Sequence, residues 1–126
     1  MEKLTRLSNF PQIKTITSAL VLQSEAKIYF DDFENNKYEV HFPIVYDFRQ
    51  CVEVAFISRK FQFCPENKFV FSGFRVEDSD WIKSFIESSD GAYGDNLNDY
   101  QHFIMFDSID ARIEIIATRT PVISKI

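Results

Sequence analysis

Glycine and proline are scarce, with three and four in 126 residues. So few chain-breaking residues argue against a loop-dominated protein. Two cysteines, Cys51 and Cys64, are too few for a disulfide framework and read as small half-buried side chains in a reducing compartment. Only two histidines accompany them, His41 and His102. They form no zinc pattern, because the cysteines stand thirteen apart and neither histidine has a second ligand at close spacing. No cofactor is implied. No run approaches the roughly 18 apolar residues of a membrane helix, and the opening MEKLTRLSNFPQIK lacks the apolar block of a secretory signal. The expectation is a cytoplasmic protein with no membrane partner. A clustered basic face is missing too, which argues against nucleic acid as a partner. Ser72-Gly73 lacks the flanking glycine of a nucleophile elbow, and there is no GxxxxGK[ST] phosphate cradle.

What the chain has is apolar and aromatic. Hydrophobic residues make up 45%, with fourteen Phe and five Tyr, which excludes global disorder and predicts one α+β domain over residues 1–126. The organising stretch is Tyr100 to Thr118. Tyr100, His102, Ile104 and Phe106 fall on one side of its first run, with Phe103 and Met105 on the other, so both faces are largely apolar. After the turn Asp107-Ser108-Ile109-Asp110, Ile113, Ile115 and Ala117 alternate with Arg112, Glu114 and Ile116. That pattern predicts a hairpin at the centre of a sheet, its second strand having one face in water.

Around it, Thr15 to Gln23 and Lys27 to Asp31 read as strands joined by a turn at Ser24-Glu25-Ala26. Asp32 to Lys37, DFENNK, predicts a turn into a strand from Tyr38. Pro43 cannot donate to a ladder, so that strand is expected at an edge or bulged there, open to pairing with a second copy. His41, opposite the strand's apolar set, is expected to face solvent. Residues 47–61 fit either period and are read as strand for their Val and Phe content. Lys68 to Val76 reads as a strand in which Gly73 marks a bulge or a close approach. Ser79 to Ser89 predicts the one helix, capped by Asp78 or Ser79, with Trp81, Ile82, Phe85 and Ile86 in one stripe and Asp90-Gly91 as its stop. Residues 1–14 read as a short strand or arm. The fold expected is a curled antiparallel sheet of about six to eight strands with one principal helix.

Charge is unevenly placed. Seven acids between Glu77 and Asp99 meet one base, Lys83, for a net of minus six, against minus five for the whole chain. A basic protein partner suits such a surface, with Asp78, Asp80, Asp90, Asp95 and Asp99 as the contact residues. Acids at this density are ordinarily solvated surface, and neither DSDWIKSFIE nor DGAYGDNLND has the pattern of a calcium loop. The competing reading is a small-ligand binder or enzyme with an aromatic-lined pocket holding His102, Tyr100 and nearby acids, or a Cys51 nucleophile served by His102 or His41. The stretch VYDFRQCVEVAFISR, then HFIMFDSIDARIEIIA and a proline-containing tail, resembles a set of short bacterial proteins. Some small acidic α+β proteins of that sort are immunity proteins of polymorphic toxin systems. The resemblance implies a non-enzymatic binding protein that neutralises a toxin, and it transfers no binding residue.

Overall fold

The computed structural model describes residues 2–52, 61–64, 69–89, 92, 96 and 99–126. Its centre is the hairpin of β8 (Gln101–Phe106) and β9 (Ala111–Ala117). Asp107 makes the turn between them. Its buried carboxylate accepts the amides of Ile109, Asp110 and Ala111 through Oδ1 (3.1, 2.9 and 2.8 Å), and Oδ2 accepts Ile16 N–H from another sheet (2.9 Å). One side chain thus satisfies four amides, which offsets the cost of burying it.

The hairpin is internal to a six-stranded sheet of order β5-β9-β8-β7-β1-β6, with β1 at Lys3–Arg6, β5 at Val45–Val52, β6 at Gln62–Cys64 and β7 at Gly73–Glu77. Neighbours are antiparallel except β1 and β6. A second sheet has the order β10-β4-β3-β2, from β2 (Thr15–Leu22), β3 (Glu25–Asp31), β4 (Lys37–Phe42) and β10 (Val122–Lys125). The expected α+β fold with antiparallel pairing and one helix is what the structure shows, its strands divided between two sheets that do not close into a barrel.

The sheets pack through alternate residues. Ala26, Ile28 and Phe30 of β3 and Val40 and Phe42 of β4 meet Phe103, Met105, Ile113, Ile115 and Ala117 of the hairpin. Phe42 and Phe103 touch across the interface, ring centroids 5.5 Å apart. Each such apolar side chain contributes about 1.5–3 kcal/mol when taken out of water. On the opposite face of the larger sheet, Leu4, Phe74, Val76, Ile104 and Phe106 form a second cluster. Beside it lies α1 (Asp80–Ser88), whose Ile82 packs with Tyr100 and Ile116, flanked by Trp81, Phe85 and Ile86.

Several local expectations shift. The turn after β2 falls on Gln23-Ser24, with Gln23 at φ 47°, so Glu25 and Ala26 already belong to β3. The DFENNK turn forms as expected, Asn35 at φ 65° and Asp32 accepting the amides of Glu34 and Asn36. Pro43 does not mark an edge: β4 lies between β3 and β10, and Pro43 follows its end, where the chain crosses to β5 and no ladder amide is needed. The strand expected from residue 68 begins only at Gly73, where a Cβ would lie 2.9 Å from Phe10 Cζ, so the glycine marks a close approach. Val45–Val52 is strand; residues 53–60, the remainder of the ambiguous stretch save Phe61, lie outside the described residues.

Candidate functional site

The face expected to be wet is buried. Arg112 is 4% exposed and Glu114 0%, because β5 and β8 flank β9 and α1 lies across the same face. Register brings the pieces together: Arg49 stands opposite Glu114, Cys51 opposite Arg112, and His102 two pairs along from Glu114 on the same face. Arg49 holds the Glu114 carboxylate by two bonds, Nε to Oε2 (3.0 Å) and Nη2 to Oε1 (3.1 Å). His102 Nε2 lies 2.8 Å from Oε1. Arg112 Nε is 3.2 Å from Oε2 but too bent for a hydrogen bond, and its Nη2 donates to Cys51 Sγ at 2.7 Å. Arg49 also lies 4.1 Å over the Trp81 ring, which meets the His102 ring at a near-perpendicular angle of 79°.

Ser79 connects this network to the helix. Its Oγ accepts the Ile82 amide as the N-cap of α1 (3.1 Å) and lies 2.8 Å from His102 Nδ1. An ionised carboxylate can only accept, so His102 Nε2 donates to Glu114; burial disfavours a second ring proton, which assigns Nδ1 as the acceptor of the Ser79 hydroxyl. The imidazole is then neutral. Burial, the largest influence, holds its pKa below the ordinary 6.5, outweighing the pull of Glu114 in the other direction.

Serine, histidine and glutamate in hydrogen-bonded series suggest a catalytic triad, but the geometry argues for an anchor. Ser79 is 5% exposed, and its oxygen is committed to the helix amide. A nucleophile needs an open approach for a carbonyl carbon. The chain of bonds instead fastens the first turn of α1 to β8, β9 and β5.

The other sequence candidates are scattered. Cys51 and His102 share this face, joined through Arg112 and Glu114, whereas His41 sits on the outer face of the smaller sheet, 3.4 Å from Glu25. Tyr100 is buried against Tyr46 and Phe85, and the rings of Phe63, Phe69, Phe74 and Phe106 pack on one another. Among the described residues these aromatics fill space, and the described cavities are lined by neither His102 nor Tyr100. Of the acids, Asp78 and Asp80 flank Lys83 at the exposed start of α1. Asp78, at φ 57°, accepts from Lys83 Nζ at 2.6 Å, which holds its carboxyl below the usual range. Asp99 is exposed before β8; Asp90 and Asp95 lie outside the described residues. No group of three His, Cys, Asp or Glu side chains among the described residues could hold a metal, and no helix there is long and apolar enough to cross a membrane.

Sequence reading gave Ser79 only the role of a possible helix cap, placed Arg112 and Glu114 on a wet face and gave Arg49 no role. The one available signal was that His102, Arg112 and Glu114 share a parity on adjoining strands. The chain matches no family model, no curated protein and no solved structure.

Proposed function

We propose that the protein is a non-catalytic, cytoplasmic binding protein whose contact surface is the acidic start of α1 together with Asp90, Asp95 and Asp99, which follow it in the chain. Its partner is a basic protein, in the manner of an immunity protein neutralising a toxin. The observation that carries this reading is the contrast at α1: its outer side exposes Asp78, Asp80 and Glu87 around one base, while the histidine beneath it is sealed. A basic effector that itself binds phosphate would find there the charges its substrate offers, and association would be steered electrostatically.

The test uses the product of a neighbouring toxin gene as bait. Changing Asp90, Asp95 and Asp99 together to Asn is expected to slow association and flatten its salt dependence while the melting temperature barely moves. Asp78 and Asp80 are poorer targets, since Asp78 holds Lys83 beside the Ser79 cap and Asp80 stands in the first turn of α1, so changing them alters the helix start as well as the surface charge. Unchanged association kinetics in the triple variant would remove Asp90, Asp95 and Asp99 from the interface.

A further inference from the structure

The smaller sheet ends on β2. This strand runs for eight residues, TITSALVL, within the longest uncharged stretch of the chain, Thr15 to Ser24. Exposed edges are ordinarily blunted by charge, proline or shortness, because their unpaired N–H and C=O groups invite another strand. The other described edges carry such devices. β6 has three residues, β10 has four, entered from Pro121 and closed by Lys125, and β5 carries Asp47 and Arg49. β2 carries none. Its Leu20, Val21 and Leu22 are instead 46, 45 and 50% exposed, three large apolar side chains in a row.

The backbone shows which part of this edge is open. At its start the Ile16 amide donates to Asp107 and the Lys14 carbonyl accepts from Ser108, so the β8–β9 turn covers residues 14–16. A bulge follows between Ile16 and Ser18. Beyond it the register runs unbroken to the turn at Gln23-Ser24, where Leu22 faces Glu25. A two-residue turn makes that closing pair a bonded one, so Leu22 and Leu20 exchange bonds with β3, and the Val21 and Ala19 amides and carbonyls point outward. Their side chains lean to the core side, opposite Ala26 and Ile28, while Leu20 and Leu22 lie on the outer face beside Lys27 and Glu25.

We infer that β2 pairs antiparallel with β2 of a second copy, on a two-fold axis at Leu20, so that two smaller sheets continue as one. That register is self-complementary. Leu20 stands opposite itself, Ala19 and Val21 exchange backbone bonds across the axis, and Leu22 meets Ser18. Charge selects the occupant. Two chains of net charge minus five repel unless they meet where neither is charged, and no like charges face each other along Thr15 to Ser24. A charged strand from another protein would set its charges against Leu20 and Leu22. So short an edge makes a small interface, and a dissociation constant between about 10 µM and 1 mM is expected. The edge belongs to the smaller sheet and α1 to the far face of the larger one, so this pairing and the acidic surface can each fail alone.

Sedimentation velocity of the whole chain across that concentration range reads the association, and amide exchange by NMR at both ends of the range locates it. A concentration-dependent dimer is expected, with exchange slowed at Ala19 and Val21 and little changed at Leu20 and Leu22, which β3 holds in either state. Leu20→Lys sets two like charges face to face at an exposed position and is expected to weaken the dimer by about tenfold or more, the dilute protein keeping its melting temperature. Val21→Pro, which removes an amide that β3 does not use, keeps the test open where Leu20→Lys alters the fold. A chain that stays monomeric to about 1 mM, wild-type association in both variants, or slowing that spares Ala19 and Val21 would overturn the pairing. Slowing there that appears only on adding the neighbouring toxin-gene product would also overturn it and give the edge to that partner.

Discussion

On one side of the β8–β9 hairpin, Phe103, Met105, Ile113 and Ile115 pack against the second sheet with nothing but hydrocarbon and sulfur. One residue out of step, the same two strands present His102, Arg112 and Glu114 to α1, equally buried. Dispersion and area are spread over many small contacts, so the first face loses stability in proportion to what is removed. The second face is a set of mutual dependencies. Remove one member and the others remain out of water with their charges unmatched.

The largest break in this comparison is Glu114→Gln. It leaves Arg49 and Arg112 without their carboxylate, and a loss of about 3–5 kcal/mol is expected in urea unfolding. Ile115→Val, its neighbour on the hydrocarbon face, is expected to cost only about 0.5–1.5 kcal/mol. Equal costs would mean the two faces obey the same rule.

Ser79→Ala is the intermediate case. It removes the cap of α1 and the proton that His102 accepts, and should cost about 0.5–2 kcal/mol. Hydrogen exchange would locate the loss: faster exchange at Ile82 and Lys83, with the β3–β4 pairs unaffected. Uniformly faster exchange would mean the helix is not separately anchored.

Smallest is the pH dependence. Above 6.5, imidazole is neutral in folded and unfolded chains alike. As pH falls below 6.5 the unfolded chain takes up a proton that burial denies to His102, so stability declines toward the lowered folded value. Asp32, Glu77 and Asp78 have depressed values as well, and their contribution is present above the ordinary carboxylate range and lost only below about pH 4. Melting temperature is thus expected to fall in two separate windows. His102→Gln should flatten the upper one while keeping His41; an unchanged slope between about pH 6.5 and 5 would show that position 102 does not titrate with unfolding.

The sequence by itself determined the hairpin at 100–118, the helix at 79–89 and the DFENNK turn. Each depends on neighbours within a few positions: period-two alternation, a capping oxygen three residues from its amide, asparagines that tolerate positive φ. Only the tertiary structure decided which faces are dry. Arg112 and Glu114 alternate with isoleucine just as they would on a strand with one face in water, and nothing local reveals that Arg49 arrives from 65 positions away and Ser79 meets His102 from 23. A charge on a strand is cheap in water and costly out of it, and the difference is settled by partners that approach through space.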